Sequence, residues 1–81
     1  MEGHTRAYVL IETTVGKTRG VVEALRQSAE LVEVDAVTGP YDIIAVVEGE
    51  DLNAVGDLVT RYIHDIDGVV RTVTCLAVIT G

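Results

Sequence analysis

The segment Val37–Asp42 brings together residue types that suit the binding of a small zwitterion. It contains Gly39, Pro40, which is the only proline, and Tyr41 beside Asp42, between two apolar runs. Backbone amides exposed in a tight turn can hold a carboxylate, and an Asp side chain can pair with an ammonium group. Alternatively, Gly39 and Pro40 only set a hairpin turn and Asp42 accepts a local hydrogen bond. The chemistry alone leaves both interpretations open.

Three other features that could do chemistry lack the partners that a reaction needs. The run Gly16–Thr18 resembles the end of a phosphate-binding loop, but Ile11 stands where that loop needs its first glycine. His64 has carboxylates near it in sequence, yet a zinc site needs at least three convergent ligands. Cys75 has no histidine near it, which favours a buried, unreactive thiol over a nucleophile. We therefore predict no catalytic residue, no metal site and no cofactor.

The composition limits the classes of partner. Thirteen acidic residues against six basic ones give a formal net charge of −7, and the basic residues are scattered along the chain. Because phosphate-binding surfaces need clustered Lys and Arg, direct binding of nucleic acid is not expected. No run approaches the roughly 18 apolar residues of a membrane-spanning helix, and the N-terminus lacks the order of a signal peptide. With a single cysteine as well, a cytoplasmic protein is expected.

The length of 81 residues allows one domain, which we assign to residues 1–81. A chain this short buries a small share of its surface, so its core needs additional support. One cysteine and no cluster of metal ligands exclude the usual disulfide and metal staples. Self-association is therefore the expected source of that support.

The apolar pattern predicts the order strand, helix, strand, strand, helix, strand. β-rich or alternating runs give the strands, and apolar residues at spacings of three and four give the helices. The apolar stripe of the second helix is Leu52, Val55, Val59, Tyr62, Ile63 and Ile66. The predicted ranges are Ala7–Ile11, Lys17–Ala29, Val32–Ala36, Ile43–Val47, about Asp51 to Ile66, and Val69–Ile79.

This order predicts an α+β fold of the ferredoxin-like, split βαβ type (βαββαβ). We expect a four-stranded antiparallel sheet in the order fourth, first, third, second, with both helices on one face. The third strand alternates Ile43, Ala45 and Val47 with Ile44, Val46 and Glu48, so both of its faces are largely apolar. The first strand likewise alternates Val9 and Ile11 with Tyr8 and Leu10, and the last alternates Val73, Ala77 and Ile79 with Leu76 and Val78. An exposed apolar face of this size needs a cover, which predicts a homodimer packed sheet to sheet, of the dimeric α/β barrel type.

Two motifs resemble the RAM domain, which is the ligand-binding domain of the Lrp/AsnC family of transcription regulators. Thr38–Asp42 followed by the apolar third strand resembles the T-G-x-Y-D turn of that domain. Asp67–Thr74 resembles its G-V-x-x-T-x-T segment at the entry to the last strand. With the element order, the resemblance spans about Ala7 to Ile79. It implies an amino acid or related metabolite as ligand, bound in clefts between dimers of a higher, ring-like oligomer.

The resemblance also implies a set of ligand-binding residues. Tyr41 would form a wall of the cleft, Asp42 would orient the turn or take the ammonium group of the ligand, and threonine hydroxyls would supply polar contacts. The set is Gly39, Tyr41, Asp42, Thr72, Thr74 and Cys75. Because 81 residues leave no room for a helix-turn-helix reader, the chain resembles the stand-alone members, which would not bind promoters directly and could join full-length relatives in mixed oligomers.

Two other functions remain open at this stage. Small dimeric ferredoxin-like enzymes of the monooxygenase or isomerase type react substrates in a cleft between sheet and helices. In this chain Tyr8, Tyr62 and His64 would have to line such a cleft. The other alternative is a purely structural oligomer that binds no ligand.

Overall fold

The computed structural model describes residues 4–78, which form one four-stranded antiparallel sheet and two helices. In chain order these are β1 (Thr5–Thr13), α1 (Thr18–Arg26), β2 (Leu31–Ala36), β3 (Ile43–Gly49), α2 (Leu52–Tyr62) and β4 (Val69–Leu76). The strands lie in the order β2-β3-β1-β4, which is the predicted order read from the other edge. The ferredoxin-like βαββαβ fold is therefore confirmed.

Both helices pack on the same face of the sheet. Alternate residues of a strand point to opposite faces, and one alternating set of β1 and of β3 is fully buried beneath α1 and α2. The buried cluster contains Ala7, Val9, Ile11, Val21, Val22, Leu25, Val34, Ile43, Ala45, Val47, Val55, Val59 and Ile63. No helix within residues 4–78 is both long and apolar enough to cross a membrane.

Both helices are shorter than predicted. α1 ends at Arg26 instead of Ala29, because the chain turns there, with Ser28 N donating to Leu25 O at 3.0 Å. α2 begins after Asp51, whose side chain accepts a hydrogen bond from Ala54 N at 2.9 Å, as expected of a helix cap. It ends at Tyr62 instead of Ile66.

The assignment of Leu52 to the buried stripe of α2 is wrong. Its side chain is 58% exposed, because it stands in the first turn, before the helix reaches the buried cluster at Val55. The last strand is also shorter than predicted, since β4 ends at Leu76. Ile79, which was assigned to that strand, lies outside the described residues.

The face of the sheet that points away from the helices is called the open face. Because residues paired directly across antiparallel strands share a face, the register identifies its members. The open face contains Arg6, Tyr8, Leu10 and Glu12 of β1, Glu33 and Asp35 of β2, Ile44, Val46 and Glu48 of β3, and Arg71, Val73 and Cys75 of β4. Its centre is apolar, with Tyr8 38% exposed and Leu10 and Ile44 half-buried. The described residues provide no second layer over this face.

Gly68 provides the first test of the fold. Its φ is +103°, and a Cβ at this position would lie 2.8 Å from Lys17 Cβ and 3.0 Å from Val21 Cγ2. We predict that Gly68→Ala lowers the free energy of unfolding by about 1–3 kcal/mol, as measured by urea denaturation, because the backbone and α1 must both adjust. The control is Gly20→Ala, at an exposed position in α1 with open space around it, which should raise that free energy by about 0.5–1 kcal/mol. Equal changes in the two variants would contradict the special role of Gly68.

Candidate functional site

The carboxylate of Asp42 ties the connection between β2 and β3 to the end of β1. Asp42 Oδ2 accepts hydrogen bonds from Thr13 N at 2.8 Å and from Thr13 Oγ1 at 3.2 Å. β3 begins at Ile43, opposite Ile11, so Thr13 extends past the ladder between the two strands. The side chain of Asp42 replaces the missing strand as acceptor for the Thr13 amide, which must find a partner because Thr13 is buried.

This contact continues to the start of α1. Thr13 Oγ1 lies 2.7 Å from Thr18 Oγ1, and Asp42 N donates to Ile11 O at 2.9 Å. Gly39 has a φ of +129°, a conformation that L side chains rarely adopt, and this lets the chain reverse before Asp42. The turn is thus held in place by hydrogen bonds within the chain.

Tyr41 lies beside Arg71, which is not among the predicted ligand-binding residues. Arg71 Nη2 donates to Tyr41 Oη at 3.2 Å, and the guanidinium carbon lies 5.6 Å from the centre of the Tyr41 ring. Arg71 Nε also lies 3.4 Å from Glu12 Oε1. These contacts leave the guanidinium with further N–H donors for another acceptor. The sequence does not single out Arg71, because its neighbour Glu12 is known only once the strand register is known.

The predicted residues of the last strand lie on two different faces. Thr72 and Thr74 pair with Ile11 and Val9, so they are on the helix side, at the sheet edge formed by β4. Cys75 pairs with Tyr8 and is exposed on the open face, so the prediction of a buried thiol is wrong for the single chain, because β4 is an edge strand. Within one chain, therefore, the two threonines and Cys75 do not line a common cleft with the turn.

A second Arg–Tyr–Glu cluster lies at the other end of the open face. Arg6 Nε donates to Tyr8 Oη at 3.2 Å, its guanidinium carbon lies 5.6 Å from the Tyr8 ring, and its Nη1 forms an ion pair with Glu48. The hydrogen bonds to Tyr8 and Glu48 raise the pKa of Arg6 above its ordinary value, so this residue stays charged. The apolar centre of the open face thus lies between two clusters of the same composition.

The three residues considered for catalysis lie on separate surfaces. Tyr8 is on the open face, whereas Tyr62 lines surface grooves beside α2, together with Arg61. His64 Nε2 lies 2.9 Å from Thr72 Oγ1, on the helix side of β4. They do not meet in one cleft between sheet and helices. Among residues 4–78 there is also no group of three or more His, Cys, Asp or Glu side chains that could hold a metal ion.

Comparisons with known proteins match nearly the whole chain. The family model described as Lrp/AsnC ligand binding domain matches residues 6–80. The crystal structure of TTHA0845 from Thermus thermophilus is 36% identical, with a TM-score of 0.86, and the match covers 95% of this chain and 96% of that one. The crystal structure of FFRP-DM1 is 32% identical, with a TM-score of 0.82, and the match covers 91% of this chain and 99% of that one. None of the curated proteins compared with the chain matches it.

A longer regulator shares the fold at lower identity. The transcriptional regulator NMB0573 from Neisseria meningitidis, solved as a complex with L-Met, is 18% identical to this chain with a TM-score of 0.79. The match covers 91% of this chain and 49% of the regulator. At this identity the likeness concerns the fold alone.

The hydrogen bonds of Asp42 lead to a prediction about stability. We expect Asp42→Ala to lower the free energy of unfolding by about 1–3 kcal/mol, because the buried Thr13 amide and hydroxyl lose their acceptor. The control is Asp65→Ala, which removes an exposed carboxylate that forms no hydrogen bond or ion pair with another residue of the described range. It should change that free energy by less than about 0.5 kcal/mol in the same urea titration. A loss for Asp42→Ala no larger than that for the control would contradict the structural role of this carboxylate.

Proposed function

The chain belongs to the Lrp/AsnC ligand binding domain family, and we propose that it is an amino-acid-binding and oligomerising RAM module of transcription regulation. In this proposal it acts in the cytoplasm by binding a metabolite, without performing catalysis. The observation that carries the ligand half is the contact between Arg71 of β4 and Tyr41 of the turn that Asp42 anchors.

The ligand chemistry follows from the groups at that corner. Arg71 has donors to offer a carboxylate, and bidentate pairing with carboxylates is a property of guanidinium groups. The ring of Tyr41 supplies a flat apolar wall, and Glu12 supplies a negative charge that an ammonium group can share. Asp42 orients the turn, since its Oδ2 is already engaged with Thr13. The complex of NMB0573 with L-Met supports an amino acid as the ligand.

The remaining residues of the implied set would reach the ligand through assembly. Thr72 and Thr74 lie on the helix side of the edge strand β4, where a copy from another dimer can approach, whereas Cys75 lies on the open face, where the dimer itself forms. We propose that the threonine hydroxyls and Gly39 line clefts between dimers, as in the assembly that the family resemblance implies. A ligand that binds only the assembled state raises the population of that state, so its binding is reported as a change in oligomer size.

The dimer of this proposal forms through the open face. Leu10, Ile44, Val46 and Val73 give that face an apolar centre, and an apolar centre with a polar rim is the usual anatomy of an interface. A second copy of the chain supplies the missing layer. A related chain whose RAM domain presents a similar apolar face could join the same assembly as a mixed oligomer.

We predict that at least one of the common L-amino acids raises the melting temperature of the chain. A ligand present at about 100 times its Kd stabilises the state that binds it by about 2.7 kcal/mol, which a thermal scan detects easily. Arg71→Gln should remove this response because the carboxylate loses its partner. Arg61→Gln, at an exposed position on α2, should keep it. If wild-type melting and mass stay unchanged with every common amino acid, the chain is a structural oligomer without this ligand.

We also predict that Ile44→Lys converts the dimer to a monomer in sedimentation velocity runs. The substitution places a charge in the apolar centre of the open face, where it would be desolvated on association. Val15→Lys is the matched control, because Val15 is 97% exposed in the connection between β1 and α1. A wild-type chain that sediments as a monomer would refute the dimer.

A further inference from the structure

The charges of the open face are unevenly distributed between its two edges. β2 carries Glu33 and Asp35, which are exposed and form no ion pair with another described residue. The opposite edge strand, β4, carries Arg71. On the inner strands Arg6 forms an ion pair with Glu48, and Glu12 lies 3.4 Å from Arg71 itself. One edge of the face is therefore acidic, and the only cationic side chain at the other edge, among the described residues, is Arg71.

This distribution determines how a second copy can pack. We propose that the two-fold axis of the dimer runs parallel to the strands, so that β2 of each copy lies over β4 of the other and Asp35 of one copy pairs with Arg71 of its partner. This inference rests on the proposed function, since it assumes that the dimer forms through the open face. It adds the orientation of the copies and a residue that each copy contributes to the other's candidate site.

Two orientations keep the strands of stacked sheets roughly aligned, as packed sheets require. If the axis lay across the strands, β2 would face β2, and Glu33 and Asp35 of both copies would meet without a cation. If the axis runs along the strands, the acidic edge of each copy meets the edge with Arg71. Like charges brought together at an interface oppose association, whereas complementary charges select the register. The charges of β2 and β4 therefore favour the second orientation.

The pairing register indicates which acid reaches Arg71. A rotation about an axis along the strands keeps each residue at its own height on the sheet. Asp35 pairs with Ile44, Ile44 with Leu10 and Leu10 with Val73, so Asp35 lies in the row next to Arg71. The two rows are about 7 Å apart along the strand, and stacked sheets are about 10 Å apart. An arginine and an aspartate side chain can together span this separation. Glu33 lies one row farther away, at the height of Cys75.

This contact would connect the dimer interface to the ligand corner. Arg71 already touches Glu12 and the ring of Tyr41 within its own chain. A carboxylate from the second copy would hold the guanidinium from the other side. The position of Tyr41 would then depend on dimerisation, and the candidate site would be incomplete in a single chain.

A charge exchange between two variants tests the orientation. Asp35→Arg alone places two arginines at each contact, and Arg71→Glu alone places two acids there. Each variant should therefore self-associate at least about tenfold more weakly than the wild type, which is about 1.4 kcal/mol per tenfold. In a mixed dimer of the two variants, both contacts again join opposite charges. Native mass spectrometry of an equimolar mixture should therefore show mixed dimers well above the statistical half.

The controls separate this contact from general effects of charge. Asp57→Arg and Arg61→Glu make the same two charge changes on α2, away from the open face, and their mixture should give the statistical proportion of mixed dimers. The chain with both Asp35→Arg and Arg71→Glu should recover wild-type association. If charge reversal impairs folding, as seen by circular dichroism, the milder pair Asp35→Asn and Arg71→Gln replaces it, and the two effects on dimerisation should be non-additive.

Each outcome decides a separate point. Preferential mixed dimers, together with recovery in the doubly substituted chain, support the orientation. A wild-type dimer with mixed dimers of the variants at the statistical proportion, or with additive effects of the milder pair, overturns the orientation and leaves the proposed function standing. A monomeric wild type overturns the proposed dimer and the orientation with it.

Discussion

A four-stranded sheet has two faces, and the two helices of this chain cover only one of them. Because β1 and β3 carry apolar residues in both alternating sets, the second face is also apolar at its centre. Burial of apolar surface is the main favourable contribution to folding, and a chain of 81 residues buries a smaller fraction of its surface than a larger domain does. In the function proposed above, Leu10, Ile44 and Val46 therefore link the stability of the fold to dimerisation, and dimerisation to the clefts between dimers.

The candidate site is built on the end of the sheet where the strands stop at different heights. Asp42 completes the hydrogen bonding of Thr13 and so fixes the turn that carries Tyr41. Arg71 then joins Tyr41 to Glu12 on the neighbouring strands. A hydrogen-bonded turn beside a cation and an aromatic ring suits the recognition of a small zwitterion, because such groups need little rearrangement on binding.

The sequence predicted the order of the elements and the strand order, because strand and helix periods are strong where Val, Ile and Leu dominate. The ends of the helices were less predictable, because tertiary packing and turns determine them. The exposure of Leu52 and the end of α1 at Arg26 are examples. The residues of the turn could be selected from composition and resemblance. Arg71 could not, because its contact with Tyr41 joins residues 30 positions apart and depends on the register of the sheet.

The hydroxyl groups of Thr13 and Thr18 form a short relay with a fixed polarity. An ionised carboxylate can only accept, so the proton of Thr13 Oγ1 must point to Asp42, and the proton of Thr18 Oγ1 must point to Thr13. The negative charge of a single side chain thus orders two hydroxyl dipoles as far as the first turn of α1. Because the same oxygen also accepts the backbone N–H of Thr13, an amide at this position would have to turn its own oxygen inward, so the backbone at the end of β1 and the side chain of Asp42 together set the direction in which the first hydroxyl of α1 points.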